Sequence, residues 1–275
     1  MQTFKMRSRL IVMLILSLTF TTGCEYQKVL KKGTINEKLE VSRKYYNKGD
    51  YARAQIILEG LIGKVPRGSD AEEVYFLYSY CHYGMNDYIM ASYHFTNFTV
   101  RYPNSKYIEQ AAFMVAKCEY EKSLSSELDQ TNTKKAIEAI QLFINRYPKS
   151  ASVETGNKMI DQLRARLHEK ALKKAMLYYN MESYLSAYTS FKHAVIDYPD
   201  IPDKERVDYF IVKSAFMYAK QSVASSQIER FEQAQEEAND FFANYTDSKY
   251  AKEINTLIED SKSRVKQLNS KNESQ

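Results

Sequence analysis

One block recurs five times along this 275-residue chain, and nothing else in it limits the possible folds as tightly. Ala54, Ala91, Ala136 and Ala187 each lie twelve residues before a proline (Pro66, Pro103, Pro148, Pro199), and Ala234 stands twelve residues before Thr246. Three residues before each alanine comes Tyr51, Tyr88, Thr133, Tyr184 or Phe231. Four residues after it comes Leu58, Phe95, Ile140, Phe191 or Ala238, and just before the terminator Val65, Tyr102, Tyr147, Tyr198 or Tyr245. The terminators are 37, 45, 51 and 47 residues apart. Within the second block Ala91, Phe95, Phe98, Thr99 and Tyr102 fall at i, i+4, i+7, i+8 and i+11, which lays one stripe along an α-helix. Pro103 ends that helix, because it supplies no N–H and pushes Tyr102 out of the αR region. Asn104 and Ser105 are suited to cap the helix that follows.

The alanine-then-aromatic spacing with a closing proline resembles the second helix of the tetratricopeptide (TPR) unit. The small residue lets two helices approach, and the proline stops the chain so that it can reverse. The resemblance implies an all-α, right-handed α-solenoid of about five TPR helix–turn–helix repeats with a C-terminal capping helix. The expected repeats are 35–66, 70–103, 107–148, 152–199 and 203–246, followed by a cap over 248–268, all within one domain, 35–268. Ser69 and Glu72 have capping-box spacing. Met159, Leu163, Leu167, Leu172 and Leu177 predict one long rod over 151–179. From Tyr120 to Thr133 and from Tyr218 to Phe231 the chain spans 13 residues, against 6 from Tyr45 to Tyr51, so repeats three and five should carry Ser-rich extra loops. No Asn-Gly or Asp-Gly hairpin turn competes with the helical reading. Residues 269–275 are too polar to predict order.

The first 23 residues have a different character. Lys5, Arg7 and Arg9 precede an apolar run from Leu10 to Phe20, too short to span a bilayer and of the length found in signal peptides. The run ends in Thr21-Thr22-Gly23-Cys24, which resembles a bacterial lipobox. That resemblance implies cleavage before Cys24 and acyl chains on it, the sole modification or cofactor expected. Residues 24–34 then read as a polar, lipid-anchored tether. Lys5, Arg7 and Arg9 are the only charges before Cys24, so 36 basic and 34 acidic residues remain, a net charge of +2. Such a balance makes no electrostatic case for nucleic acid, and membrane attachment is expected through the lipid anchor only.

Motifs for chemistry are absent. His82, His94, His168 and His193 form no HExxH pair, Gly60 to Lys64 lacks P-loop spacing, and there is no GxSxG. The chain therefore reads as a non-enzyme. Acidic doublets such as Glu72-Glu73 and Glu236-Glu237 read as solvated helix faces. Cys81 and Cys118 lie on first helices of consecutive repeats and suit either buried free thiols or a disulfide. By the repeat register, Arg43, Tyr46, Asn47, Phe76, Tyr80 and Tyr83 line the wall formed by the first helices of repeats one and two. Exposed aromatics beside an arginine suit an extended peptide with apolar side chains and an anionic end.

The refrain RYPNSKY and RYPKSAS, five TPR-like units and a lipobox together resemble the BamD family of outer-membrane β-barrel assembly lipoproteins. The resemblance covers the chain from Cys24 to the last helix. It implies an outer-membrane, periplasm-facing scaffold that binds a BamA-like β-barrel insertase and receives unfolded outer-membrane proteins. Glu25 is not the aspartate that favours inner-membrane retention, which agrees with that location. Two alternatives belong to other classes: a cell-division coordinator, which carries a coiled-coil segment, and a glycan-binding lipoprotein, which is Trp-rich. This chain has no heptad run and no tryptophan.

Overall fold

The computed structural model describes residues 26–273; the signal segment 1–23 and the lipobox residue Cys24 lie outside the described residues. These residues contain helices and no strand. A short α1 covers 26–32. It is followed by α2 (Ile35–Asn47), α3 (Tyr51–Glu59), α4 (Ser69–Gly84), α5 (Tyr88–Arg101), α6 (Ile108–Glu121) and α7 (Thr131–Arg146). Then come α8 (Val153–Asn180), α9 (Tyr184–Asp197), α10 (Lys204–Gln221), α11 (Ala224–Asn244) and α12 (Ala251–Glu273). The fold is all-α, built from the helical hairpins that the repeat predicts. Packing divides it into two compact units where the sequence suggests one domain. The N-terminal unit holds residues 26–124 and 129–163, and the C-terminal unit holds 125–128 and 164–273.

Two turn geometries recur. Within a hairpin, Gly49, Asn86 and Glu182 take positive φ of 74°, 61° and 57°. The N–H of the next residue (Asp50, Asp87, Ser183) reaches back five residues to the carbonyl of Tyr45, His82 or Tyr178. This is the Schellman ending of the first helix. The same residue caps the second helix: Asp50 accepts from the Arg53 N–H and Asp87 from the Met90 N–H. Glycine and asparagine tolerate the left-handed region, whereas glutamate pays a steric cost there. Glu182→Gly should accordingly raise the stability of the C-terminal unit by about 1 kcal/mol. A denaturation midpoint that stays put or falls would contradict that reading of the turn.

The second turn explains the Tyr-Pro-x-Ser refrain. Tyr102, Tyr147, Tyr198 and Tyr245 end α5, α7, α9 and α11 with φ of −129°, −127°, −133° and −134°, each N–H bonding the carbonyl four residues back. Tyr245 takes this geometry before Thr246, so proline reinforces the stop without being required for it. Ser105, Ser150 and Ser248 each accept a hydrogen bond from the N–H two residues on, at 3.2, 3.1 and 3.0 Å, and so turn the chain into the next helix. The first repeat departs from this pattern. α3 stops at Glu59, and Gly63, at φ 82°, carries the chain round well before Pro66.

The repeat alanines lie in the core. Ala54, Ala91, Ala136 and Ala187 are fully buried, and so are Leu58, Phe95 and Ile140 one turn later. In the N-terminal unit one cluster gathers Leu39, Leu58, Phe76, Phe95, Phe98 and Met114, and a second gathers Ile140, Phe143, Met159 and Leu163. In the C-terminal unit Ala187, Phe191 and Val207 form one cluster, while Ile254 of α12 packs with Tyr209 and Phe241. The last helix thus covers the apolar face of the final hairpin, as a repeat stack requires.

Several expectations are corrected. Residues 26–32 are helical and Tyr26 is buried, so this stretch is not a plain polar tether. Helix α12 runs on to Glu273, beyond the predicted end at 268. Helix α4 starts at Ser69 itself, capped by Gly68 with no side-chain bond; the capping box lies instead at Thr34 and Glu37. Leu177 faces solvent, because the apolar stripe drifts round a rod of 28 residues and Ala175 takes the buried position. In repeat five the extra residues are helical, lengthening α10 and starting α11 at Ala224. Only repeat three keeps a loop. Its Ser126 is buried in the C-terminal unit, where Glu127 and the Leu128 carbonyl bond Lys173 and Lys170.

Candidate functional site

The six residues singled out from the sequence lie on α2 and α4 of the N-terminal unit. Three of them, Tyr46, Tyr80 and Tyr83, join one continuous wall. Tyr80 is at its centre, with ring centroids 5.5 Å from Tyr46, 5.8 Å from Tyr83 and 6.3 Å from Phe76. These contacts follow from helix geometry: Phe76, Tyr80 and Tyr83 are spaced i, i+4, i+7 along one face of α4. Asn47 is exposed at the last turn of α2.

Two residues do not stand as the sequence suggests. Phe76 is a core residue, 4 % exposed, stacked on Tyr107 at 4.7 Å and packed edge-on to Phe95 and Phe98. It supports the wall from behind and is not its floor. Arg43 is already engaged: its Nε and Nη2 donate to the two carboxylate oxygens of Glu73 at 2.6 and 2.8 Å. This fork holds the Glu73 carboxyl below the usual range, with burial opposing. The pair remains partly open, with 40 % of the Arg43 side chain exposed, so solvent screens much of its attraction. Nη1 and one hydrogen of Nη2 are not used by Glu73.

The wall continues onto α6. Tyr83 donates through its hydroxyl to Glu121 at 3.2 Å, and Lys117 Nζ lies 5.1 Å from the Tyr83 ring centroid. Lys106 Nζ lies 4.9 Å from the Tyr107 ring. Burial raises the phenol pKa of Tyr46, Tyr80 and Tyr83, so all three keep their protons and can donate. The arrangement is a strip of half-buried phenols flanked by Arg43, Lys106 and Lys117, with Glu73 and Glu121 setting the limits of its positive charge. It has the chemistry to grip aromatic and aliphatic side chains together with an anionic group.

Glu73, Tyr107, Lys117 and Glu121 escape a reading of the sequence. The acidic doublet is the available signal, and it misleads. Glu72 accepts from Ser105 at 2.7 Å while Glu73 holds Arg43, so both carboxylates join neighbouring repeats instead of facing solvent. The same holds for Glu237 in the C-terminal unit, which accepts from Tyr188 at 2.6 Å and from Lys192 at 2.9 Å. A cleft of about 420 Å³, lined by Val65, Arg67, Glu72, Tyr75, Arg101 and Tyr102, shares no residue with the wall.

Other titratable groups serve packing. Cys81 and Cys118 are free and fully buried, and burial pushes both thiols up to about 12, so neither is a nucleophile. His82 and His94 stack at 5.1 Å, bonded through Nδ1 to Asp87 and Tyr75, both at 3.2 Å. Among the described residues no three His, Cys, Asp or Glu side chains are placed to hold a metal. Among the same residues no helix is long and apolar enough to cross a membrane.

Comparison with known proteins adds a family. The model of the YfiO family, outer membrane lipoproteins, matches residues 35–208, which contain every residue of the wall. No curated protein matches the chain. Among solved structures, a thermophilic TPR protein of Thermus thermophilus is similar at 13% identity, covering 78% of this chain and 97% of that one, with a TM-score of 0.31. A putative kinesin light chain of Podospora anserina with nearly identical TPR-like repeats is similar at 12% identity, covering 78% and 97%, with a TM-score of 0.33. The yeast histone chaperone Hif1 is similar at 13% identity, covering 86% and 94%, with a TM-score of 0.28. These superpositions are loose.

Proposed function

From a chain that belongs to the YfiO family of outer membrane lipoproteins, we propose a periplasm-facing scaffold of the β-barrel assembly machinery. In this reading Cys24 carries the acyl anchor, a BamA-like insertase is the standing partner, and unfolded barrel proteins are the cargo. The family match over residues 35–208 carries the proposal, because it spans the aromatic wall and thus joins a location to a binding surface. The chain acts by holding other proteins, not by making or breaking bonds.

The wall supplies the chemistry for the last residues of a barrel protein, an aromatic side chain followed by a free carboxylate. Tyr46, Tyr80 and Tyr83 offer ring faces with donating hydroxyls. Arg43 offers the donors that Glu73 leaves open, at Nη1 and Nη2. Glu73 supports the guanidinium in place and at the same time reduces its pull on a second carboxylate. The two residues therefore have opposite expected effects.

Arg43→Ala should weaken binding of a barrel-derived C-terminal peptide by about tenfold or more, the loss of a charge-assisted contact of about 1.5 kcal/mol. Glu73→Gln should tighten it. Amidating the peptide should weaken the unaltered protein as much as Arg43→Ala does and leave that variant's affinity unchanged, because both changes remove one contact. Titration calorimetry with free and amidated peptides reads all four cases. Equal affinity for the two peptides would remove Arg43 from the site.

A further inference from the structure

The N-terminus of the fold is pinned at one particular edge. Tyr26 is 8% exposed, packed edge-on against Tyr45 at 5.6 Å, with the Arg53 guanidinium 5.8 Å from its ring. Arg53 in turn bonds Asp50 at 2.7 Å, the residue that turns α2 into α3. Tyr26 therefore sits beside the α2–α3 turn. Only Glu25 stands between it and Cys24, and two residue steps reach at most about 7 Å.

The neighbouring turn lies on the same edge. Gly84, at the end of α4, approaches the Tyr51 ring so closely that an added Cβ would fall 2.3 Å from it. Beyond it the α4–α5 turn and the first turn of α5 expose Met85 (38%), Ile89 (71%) and Met90 (38%). Three apolar side chains clustered at a helix start are unusual for a water-facing turn. Lys28 of α1 and Lys48 of the α2–α3 turn are exposed.

We propose that this edge, formed by the α2–α3 and α4–α5 turns, rests on the phospholipid surface that holds the anchor. Met85, Ile89 and Met90 enter the interfacial layer, and Lys28 and Lys48 meet lipid phosphates. The inference builds on the reading of Cys24 as the lipid attachment site and goes beyond it: the membrane contact is a face of the fold as well as an acyl chain. The short linker selects the occupant. A fold tied within about 7 Å of an acylated residue has its tied edge at the headgroups already. The lysines complement an anionic leaflet.

The test uses full-length acylated protein in vesicles of phosphatidylethanolamine and phosphatidylglycerol, with a fluorophore on Ile89→Cys or on Val100→Cys. Val100 is 77% exposed on the same helix, eleven residues and about 16 Å further along. A lipid carrying a headgroup quencher should quench position 89 several-fold more than position 100. Equal quenching at the two positions, in protein that floats with the vesicles, overturns the edge contact and leaves the anchor standing. Protein that does not float overturns the anchor and this inference together. Quenching at 89 that is abolished by Cys24→Ser but unchanged by Met85→Glu with Met90→Glu also overturns it, since the edge would then lie near lipid without touching it.

Discussion

Phe95→Ala should destabilise the N-terminal unit by about 3–5 kcal/mol, the range for emptying a fully buried aromatic site. Phe95 has no exposed surface and touches Phe76 at 5.8 Å and Tyr80 at 6.3 Å, so its loss opens a cavity directly behind the aromatic wall. Ala91, one turn earlier on the same face of α5 and also fully buried, tests the same contact. Ala91→Leu forces extra methylenes into a closed helix crossing and should cost about 1–3 kcal/mol. Hydrogen exchange resolved by peptide should show both losses in α4 and α5, while exposed Lys134 tolerates replacement. If Phe95→Ala left exchange in α4 and α5 unchanged, the hairpin contact would not be the element that holds this unit together.

Cys24→Ser should move the protein from the outer-membrane fraction to the soluble periplasmic fraction. No helix among the described residues is long and apolar enough to cross a membrane. The apolar edge offers only a few side chains, and burying a handful of methylenes gives weak, reversible attachment. Fractionation with mass spectrometry of the N-terminal peptide reads both location and acyl mass. A wild-type protein that is soluble and carries no acyl mass would contradict the lipobox reading.

The fold is largely legible in the sequence because its signal is repeated. A single Ala-x3-Phe means little, but five copies in register, each closed by Val65 or a Tyr, fix which face of each helix is buried. What the register does not show is the division into two units within α8. It does not show either that residues 125–128 belong to the C-terminal unit, where Ser126 and Glu127 bond Lys173, 46 residues beyond Glu127. Nor does the pattern distinguish the serines near 222 from a loop. Their helical neighbours are set by the contact of α10 with α11, where Phe216 meets Phe231.

The wall is legible in part and for the same reason. Register places Tyr46, Tyr80 and Tyr83 together, since helical spacing decides which residues share a face. It does not rank depth, so it leaves Phe76 on the surface although Tyr107 of the next repeat covers it. Ion pairs between repeats are invisible to it: Arg43 and Glu73 are 30 residues apart, and nothing local in either helix marks them as partners. The refrain Tyr-Pro-x-Ser is visible as a pattern, while the reason for its serine, a bond to the N–H two residues on, emerges only in the turn itself.

Co-purification tests most directly the proposal that this lipoprotein works as a scaffold for barrel assembly. Tagged full-length protein, extracted from outer membranes in mild detergent, should bring down a BamA-like barrel insertase in stoichiometric amount. A Phe95→Ala variant expressed to the same level should retain less of it. Recovery of the lipidated protein alone, or with partners that include no barrel insertase, would contradict that role.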